Sequence, residues 1–150
     1  MGECDVGALV ERVLERARER CPDNLKLRKR LPRRTGPSAV DEERVEQILD
    51  ALLDNAIRYS PDGGEIELAV EASDGTVRFS VRDTGVGIDK RHHSRIGEKF
   101  YRVDPEQQSG ATGLGLGLYI CTELTRSMSG RLWFESAPGS GSTFFVELPG

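Results

Sequence analysis

DALLDNAIRYS, residues 50–60, decides how this chain is read. It closes an apolar-periodic run that begins near Asp41. At 3.6 residues per turn, Val45, Ile48, Leu49, Leu52, Leu53, Ala56 and Tyr59 fall on one arc, so the spacing predicts a helix from 42 to about 59. Asp41 suits an N-cap, Glu42 and Glu43 suit the first turn, and Pro61 with Gly63 and Gly64 stops the helix. Asn55 lies at the border of the arc, with Ala51 and Arg58 just beyond it. A side-chain amide at that border faces a cleft rather than bulk water. A lone helical asparagine is ordinarily a solvated or capping residue, and only its companions downstream change that reading.

Two strands are expected next, at 65–71 and 76–82, joined by the turn Ser73-Asp74-Gly75. Val77, Phe79 and Val81 alternate with Arg78, Ser80 and Arg82, so the odd positions point inward. Asp83 continues the inward series at the strand end, where a carboxylate is costly unless something satisfies it. Residues 84–112 are rich in glycine, charge and polar side chains, the signature of a functional lid or of disorder. A helix is expected from Gly113 to about Ser129, ended by Gly130. Strands at 131–136 and 142–148 close the chain around the loop 137–141. That register sets Trp133 opposite Phe145 and turns Leu132, Phe134, Phe144 and Val146 inward. Upstream, Val6, Leu9, Val10, Val13, Leu14 and Ala17 have helical spacing over 6–20, and 25–31 reads as a strand.

Asn55, Asp83 in DTGVGI and the run GATGLGLGL at 110–118 together describe a pocket for ATP and Mg²⁺. No GxxxxGK[ST] occurs, and no GxGxxG leaves a strand to open a helix. A carboxylate at Asp83 accepts from the adenine amino group, where guanine offers an oxygen instead. Gly85 and Gly87 let the backbone pass close to the base. Gly110, Gly113, Gly115 and Gly117 flank a helix start, where backbone N–H groups make an anion site. Asn55 offers one neutral oxygen, which suits a hard ion already held by phosphates. Arg58 and Tyr59 follow on the same edge within reach of phosphate. Taken singly, DTG is a simple turn and the glycines a hinge; the set carries the weight.

Composition is compatible. The chain has 150 residues, 37% hydrophobic and 31% charged, which fits one soluble domain. A net charge of −4 argues against a nucleic-acid surface. The basic run KLRKRLPRR at 26–34 reads as a solvated edge strand and loop. No apolar run reaches membrane-spanning length and no signal peptide opens the chain. Cys4, Cys21 and Cys121 are scattered, without CxxC spacing, as in a reduced compartment.

The motif set resembles the ATP-binding catalytic domain of bacterial sensor histidine kinases, within the gyrase, heat-shock chaperone, histidine kinase and mismatch-repair ATPase group. LLDNAIRYSPDGGEI looks like the N-box, DTGVGI like the G1 box, EKFYRVD like the F-box and GATGLGLGLYI like the G2 box, and RLWFESAPGSGSTFFVELP is similar to the final hairpin. The resemblance covers about 6–148. It implies a Bergerat-type α+β two-layer sandwich: a mixed, mostly antiparallel sheet with helices on one face and a long ATP lid at about 89–112. It implies Mg²⁺ coordination by Asn55, phosphate contacts from Arg58 and Tyr59, and adenine binding by Asp83. It assigns Gly85, Gly87, Ile88, Phe100, Tyr101, Arg102, Gly110, Thr112, Gly113, Leu114, Gly115 and Leu116 to the nucleotide and its lid, and places Thr143 near the adenine.

Two departures stand out. Ala51 occupies the position four residues before Asn55, where hydrolytic relatives carry an activating glutamate, so gyrase-like hydrolysis is not expected. Gly97 replaces a bulky apolar residue and leaves the lid less anchored.

The implied function is donation of the γ-phosphate of Mg-ATP to a histidine on a separate dimerisation domain, for relay to a response regulator. His92 and His93 are expected as solvated loop residues, so the phospho-acceptor and sensor domains are absent and the isolated chain is inactive alone. It is expected as a monomeric, cytoplasmic domain whose parent is anchored in the inner membrane. The alternatives are an anti-sigma-factor-type serine kinase, which the F-box and final hairpin fit less well, and a non-catalytic nucleotide-sensing regulator.

Overall fold

In the computed structural model, which describes residues 5–32, 40–60, 63–73, 75–85, 116–136 and 141–149, the chain enters α1 (Val6–Arg20) at Asp5. The Asp5 carboxylate accepts the Ala8 N–H at 3.1 Å and caps the helix. β1 (Leu25–Arg30) follows, and then α2 (Glu42–Arg58), capped by Asp41 accepting the Arg44 N–H at 3.2 Å. The remaining elements are β2 (Gly64–Ser73), β3 (Thr76–Asp83), α3 (Leu116–Ser127), β4 (Arg131–Ser136) and β5 (Ser142–Pro149).

The strands form one sheet in the order β1-β2-β3-β5-β4, with β1 parallel to β2 and the other neighbours antiparallel. The expected mixed, mostly antiparallel sheet is therefore present, with helices on one face. Ile66, Leu68, Val70, Val77, Phe79, Val81, Phe144, Val146 and Leu148 are all buried on that face. α2 packs between α1 and α3 above them, and Leu49, Leu52 and Leu53 of α2 are at most 1% exposed. The apolar arc read from the sequence is thus the buried stripe of α2.

Three details differ from expectation or explain it. α3 is described from Leu116, with residues 111–115 outside the described set. Its last turn closes through Ser129, not the expected glycine. Ser129 takes the left-handed φ of 60°, with its N–H donating to Arg126 O and the Gly130 N–H donating to Thr125 O, both at 3.0 Å. Gly130 is needed for space instead: a Cβ there would lie 2.5 Å from both Glu147 O and Leu148 Cδ2. At the sheet edge, residues 26–30 of the basic run lie in β1, with Arg28 paired to Glu65 at 2.9 Å and Arg30 to Glu67 at 3.8 Å. Among the described residues no helix is long and apolar enough to cross a membrane.

Candidate functional site

The end of α2 carries the first part of the site. Asn55 is 2% exposed, so it sits inside the protein rather than at an open border. The arc drawn from residue spacing was too narrow: the buried face of α2 at this end extends to Asn55. Asn55 Oδ1 accepts from Arg58 Nη2 at 3.0 Å. The Arg58 guanidinium lies 5.2 Å from the centroid of the Tyr59 ring, which is itself buried. Asn55 Nδ2 is buried with no partner among the described residues. An amide hydrogen left unsatisfied in the interior costs about 1–3 kcal/mol, so this group marks a place where a polar partner fits.

The second part is the corner at the end of β3. Asp83 pairs with Ile66 of β2 and Ser142 of β5, on the inner face as strand parity required. It is 3% exposed, and its Oδ1 accepts the Gly85 N–H at 2.9 Å. Burial pushes its carboxyl up from 3.8 to about 6, against the opposing pull of the Gly85 and Ser142 N–H groups. Thr84 turns the other way: its Oγ1 accepts the Glu65 N–H at 3.1 Å, and its own N–H donates to Glu65 O at 3.2 Å. Those two bonds lock the turn to the start of β2. Gly85 then presses on the end of α2. A Cβ at Gly85 would collide with the Tyr59 carbonyl oxygen and come within 2.8 Å of Ser60 Oγ. One glycine thereby joins the strand of Asp83 to the helix of Asn55. Gly141, at φ 75°, leaves the same lack of room beside the Asp83 carbonyl.

Thr143 does not take its expected place. It pairs with Arg82 and Glu135, whose side chains belong to the outer face, so it points away from Asp83. Ser142 is the residue beside Asp83. It is 3% exposed, and its hydroxyl lies 2.7 Å from Ser136 Oγ. The signal was in the sequence: the parity that turns Phe144 and Val146 inward also turns Ser142 inward. Gly87, Ile88, Phe100, Tyr101, Arg102, Gly110, Thr112, Gly113, Leu114 and Gly115 lie outside the described residues, as does the lid at 89–112; Leu116 opens α3.

Among the described residues Asn55 Oδ1 is a neutral oxygen that suits an ion already carried by phosphates. Asn55 supplies one hard oxygen, and among the described residues no group of three His, Cys, Asp or Glu gathers to hold a metal. An ion with that single protein ligand needs phosphate and water oxygens for the rest.

The model of the family described as histidine kinase-, DNA gyrase B-, and HSP90-like ATPase matches residues 40–150. The chain is 34% identical over 121 residues to the sensor histidine kinase WalK of Bacillus subtilis, covering 79% of this chain and 20% of WalK. It is 36% identical over 147 residues to the adaptive-response sensory kinase SasA of a Nostoc species, covering 97% of this chain and 36% of SasA. The chain thus spans only a part of the length of these relatives. Among solved structures, full-length ShkA in complex with AMPPNP superposes at a TM-score of 0.79 with 32% identity, over 99% of this chain and 30% of that one. The mycobacterial sensor histidine kinase MprB shares the fold at a TM-score of 0.82 and 24% identity, over 99% and 97%.

Proposed function

The chain belongs to the histidine kinase-, DNA gyrase B-, and HSP90-like ATPase family, and on that premise we propose that it is the ATP-binding catalytic domain of a sensor histidine kinase. In this reading it binds Mg-ATP and donates the γ-phosphate to a histidine on a separate dimerisation domain, from which a response regulator takes it. The observation that carries the reading is the corner where the Asp83 carboxyl, buried to 3% exposure, is tied through Gly85 to the Asn55 end of α2.

Each described residue then has a task. The Asp83 carboxylate accepts from the adenine amino group, and the guanine oxygen would be repelled there. Asn55 Oδ1 would hold the ion, and the Arg58 guanidinium, bonded to that oxygen at 3.0 Å, would meet a phosphate beside it. The Tyr59 ring lies beneath the guanidinium and holds it in place. Mg²⁺, when bound, neutralises charge on the phosphates. Phosphoryl transfer asks mostly for positioning of this kind, so no residue of the chain needs to act as a base. Ala51, half-buried against the core, offers none, and water is left unactivated. We assign the stretch at about 89–112 to a lid over the phosphates, and Gly87, Ile88, Gly113, Leu114, Gly115 and Leu116 to contacts with the nucleotide itself. The parent kinase is taken to be membrane-anchored, with this domain on the cytoplasmic side.

Calorimetric titration with ATP and GTP in Mg²⁺ tests the reading, followed by transfer to a supplied histidine-bearing helical domain. ATP should bind well ahead of GTP, and acid-labile phosphate should appear on the helical domain. Equal affinity for the two nucleotides would sink the adenine assignment.

A further inference from the structure

Ser60 is 2% exposed, and its hydroxyl has no hydrogen-bond partner among the described residues. Its backbone is fully used: the N–H donates to Ile57 O at 3.2 Å and the carbonyl accepts the Gly63 N–H at 3.1 Å. The side chain alone is left over. It lies under Gly85, 2.8 Å from where a Cβ on that residue would sit, and the Gly85 N–H is the donor that holds Asp83 Oδ1 at 2.9 Å. Five residues earlier on the same chain segment, Asn55 Nδ2 is also buried and unpaired. Two buried polar atoms without a partner thus occur at one helix end, and Gly85 links Ser60 to the buried Asp83 carboxyl. Buried hydroxyls are almost always satisfied, and a site that keeps one open retains a group for something absent from the free protein.

We propose that Ser60 is a positioning residue on the purine side of the nucleotide site: its hydroxyl is left unpaired in the free chain and is satisfied, directly or through one buried water, when a purine nucleotide seats against Asp83. A buried water typically makes about three hydrogen bonds to such groups, so one molecule suffices to join Ser60 to the base. The inference rests on the nucleotide reading above, and gives a task to a residue inside the N-box stretch that the motifs left without one. Thr84 supplies the contrast. Its hydroxyl is equally close to the turn but is already spent on the Glu65 N–H at 3.1 Å, as a purely structural hydroxyl would be.

The two kinds of hydroxyl predict opposite signs. Ser60→Ala removes an unsatisfied buried group, so the melting temperature of the nucleotide-free chain should rise by about 2–4 °C. The same change should weaken binding by about threefold to tenfold, one hydrogen bond's worth. The loss should be equal for ATP and ADP, because the contact is to the purine and not the γ-phosphate. Thr84→Val should lower the melting temperature. The experiment is thermal melting and calorimetric titration of the wild-type chain and both variants with Mg-ATP and Mg-ADP. A lower melting temperature or a failure to fold in Ser60→Ala overturns the inference, as does unchanged affinity or a loss confined to ATP. If the wild-type chain binds neither nucleotide, the functional reading falls and this inference with it; if the wild type binds and Ser60→Ala binds equally, only the inference falls.

Discussion

Asp83 sits under two opposed demands. The free protein would rather hold it protonated, while adenine needs it ionised. Its carboxyl titrates at about 6 in the folded chain against an ordinary 3.8. Between those values the folded state holds a proton that the unfolded state has lost, so stability falls as pH rises from about 4 to about 6 and is level with respect to this group above that. The difference is roughly 3 kcal/mol, from about 1.4 kcal/mol per unit. ATP affinity should run the other way, rising with pH through about 6 as the acceptor forms. Asp83→Asn should raise the melting temperature at pH 8 and cut ATP affinity about tenfold or more, since a hydrogen bond to a charged group contributes about 1.5–3 kcal/mol. Melting curves and calorimetry from pH 5 to pH 8 check both signs. Wild-type affinity in the variant would remove Asp83 from the site. Asn55→Ala should leave the fold intact and weaken binding of Mg-ATP, with little effect when Mg²⁺ is chelated; transfer at the wild-type rate would make Asn55 structural.

At the scale of elements, two interfaces show which forces hold the frame. α1 and α2 run side by side with Arg12, Arg16 and Arg20 facing Glu42, Glu46, Asp50 and Asp54. Arg16 meets Glu46 and Asp50 at 2.9 Å each, Arg20 meets Asp54 at 2.6 Å, and Arg12 reaches Glu42 and Glu46. These arginines are 40–42% exposed on their side chains, and exposed pairs contribute about 0.2–1 kcal/mol each. The seam beneath them, with Leu9, Val13 and Leu14 at 0% exposure, matters more. Leu14→Ala should cost about 2–5 kcal/mol and Arg16→Ala under about 1, read by urea denaturation. Comparable losses would make the ion ladder the real tie.

The second interface is the β4–β5 hairpin. Trp133 stacks on Phe145 at 5.0 Å and 12°, with the Arg131 and Arg78 guanidinium groups 4.5 and 5.2 Å from its centroid. Glu147 holds Arg78 at 2.8 Å. The tryptophan is half-buried by its own face of the sheet, not by the helices. Trp133→Ala should therefore lower stability by about 1–2 kcal/mol and leave nucleotide affinity unchanged; impaired binding would show the outer face reaching the site.

For the whole molecule, helices cover one face of the sheet, and the described part of the site forms at the end of that layer where α2, β3 and β5 meet. Among the described residues there is no histidine, and Ala51 carries no base. The chain incubated with radiolabelled Mg-ATP should take up no acid-labile phosphate and release phosphate slowly. Label on His92 or His93 would contradict this.

Local rules carried the reading a long way. The α2 stripe, the inward parity of Asp83 and the pairing of Trp133 with Phe145 each depend on one segment or one hairpin, where periodicity and turn length suffice. Ser142 was legible by the same parity and was displaced by an expectation taken from the resemblance, which put Thr143 there instead. Other features involve residues far apart in the chain, and no local period encodes them. The burial of Asn55 is a matter of tertiary packing at the end of α2, and so is the close approach there of Gly85, from a different element, to the Tyr59 carbonyl. The left-handed turn at Ser129 arises because Gly130 is consumed by close packing on β5. The parallel pairing of β1 with β2, and the insertion of β5 between β3 and β4 with both neighbours antiparallel, follow from how the apolar faces close on one another. Periodicity tells which side of an element is apolar; only the assembled layers decide which elements meet, and therefore which buried polar atoms are left without a partner.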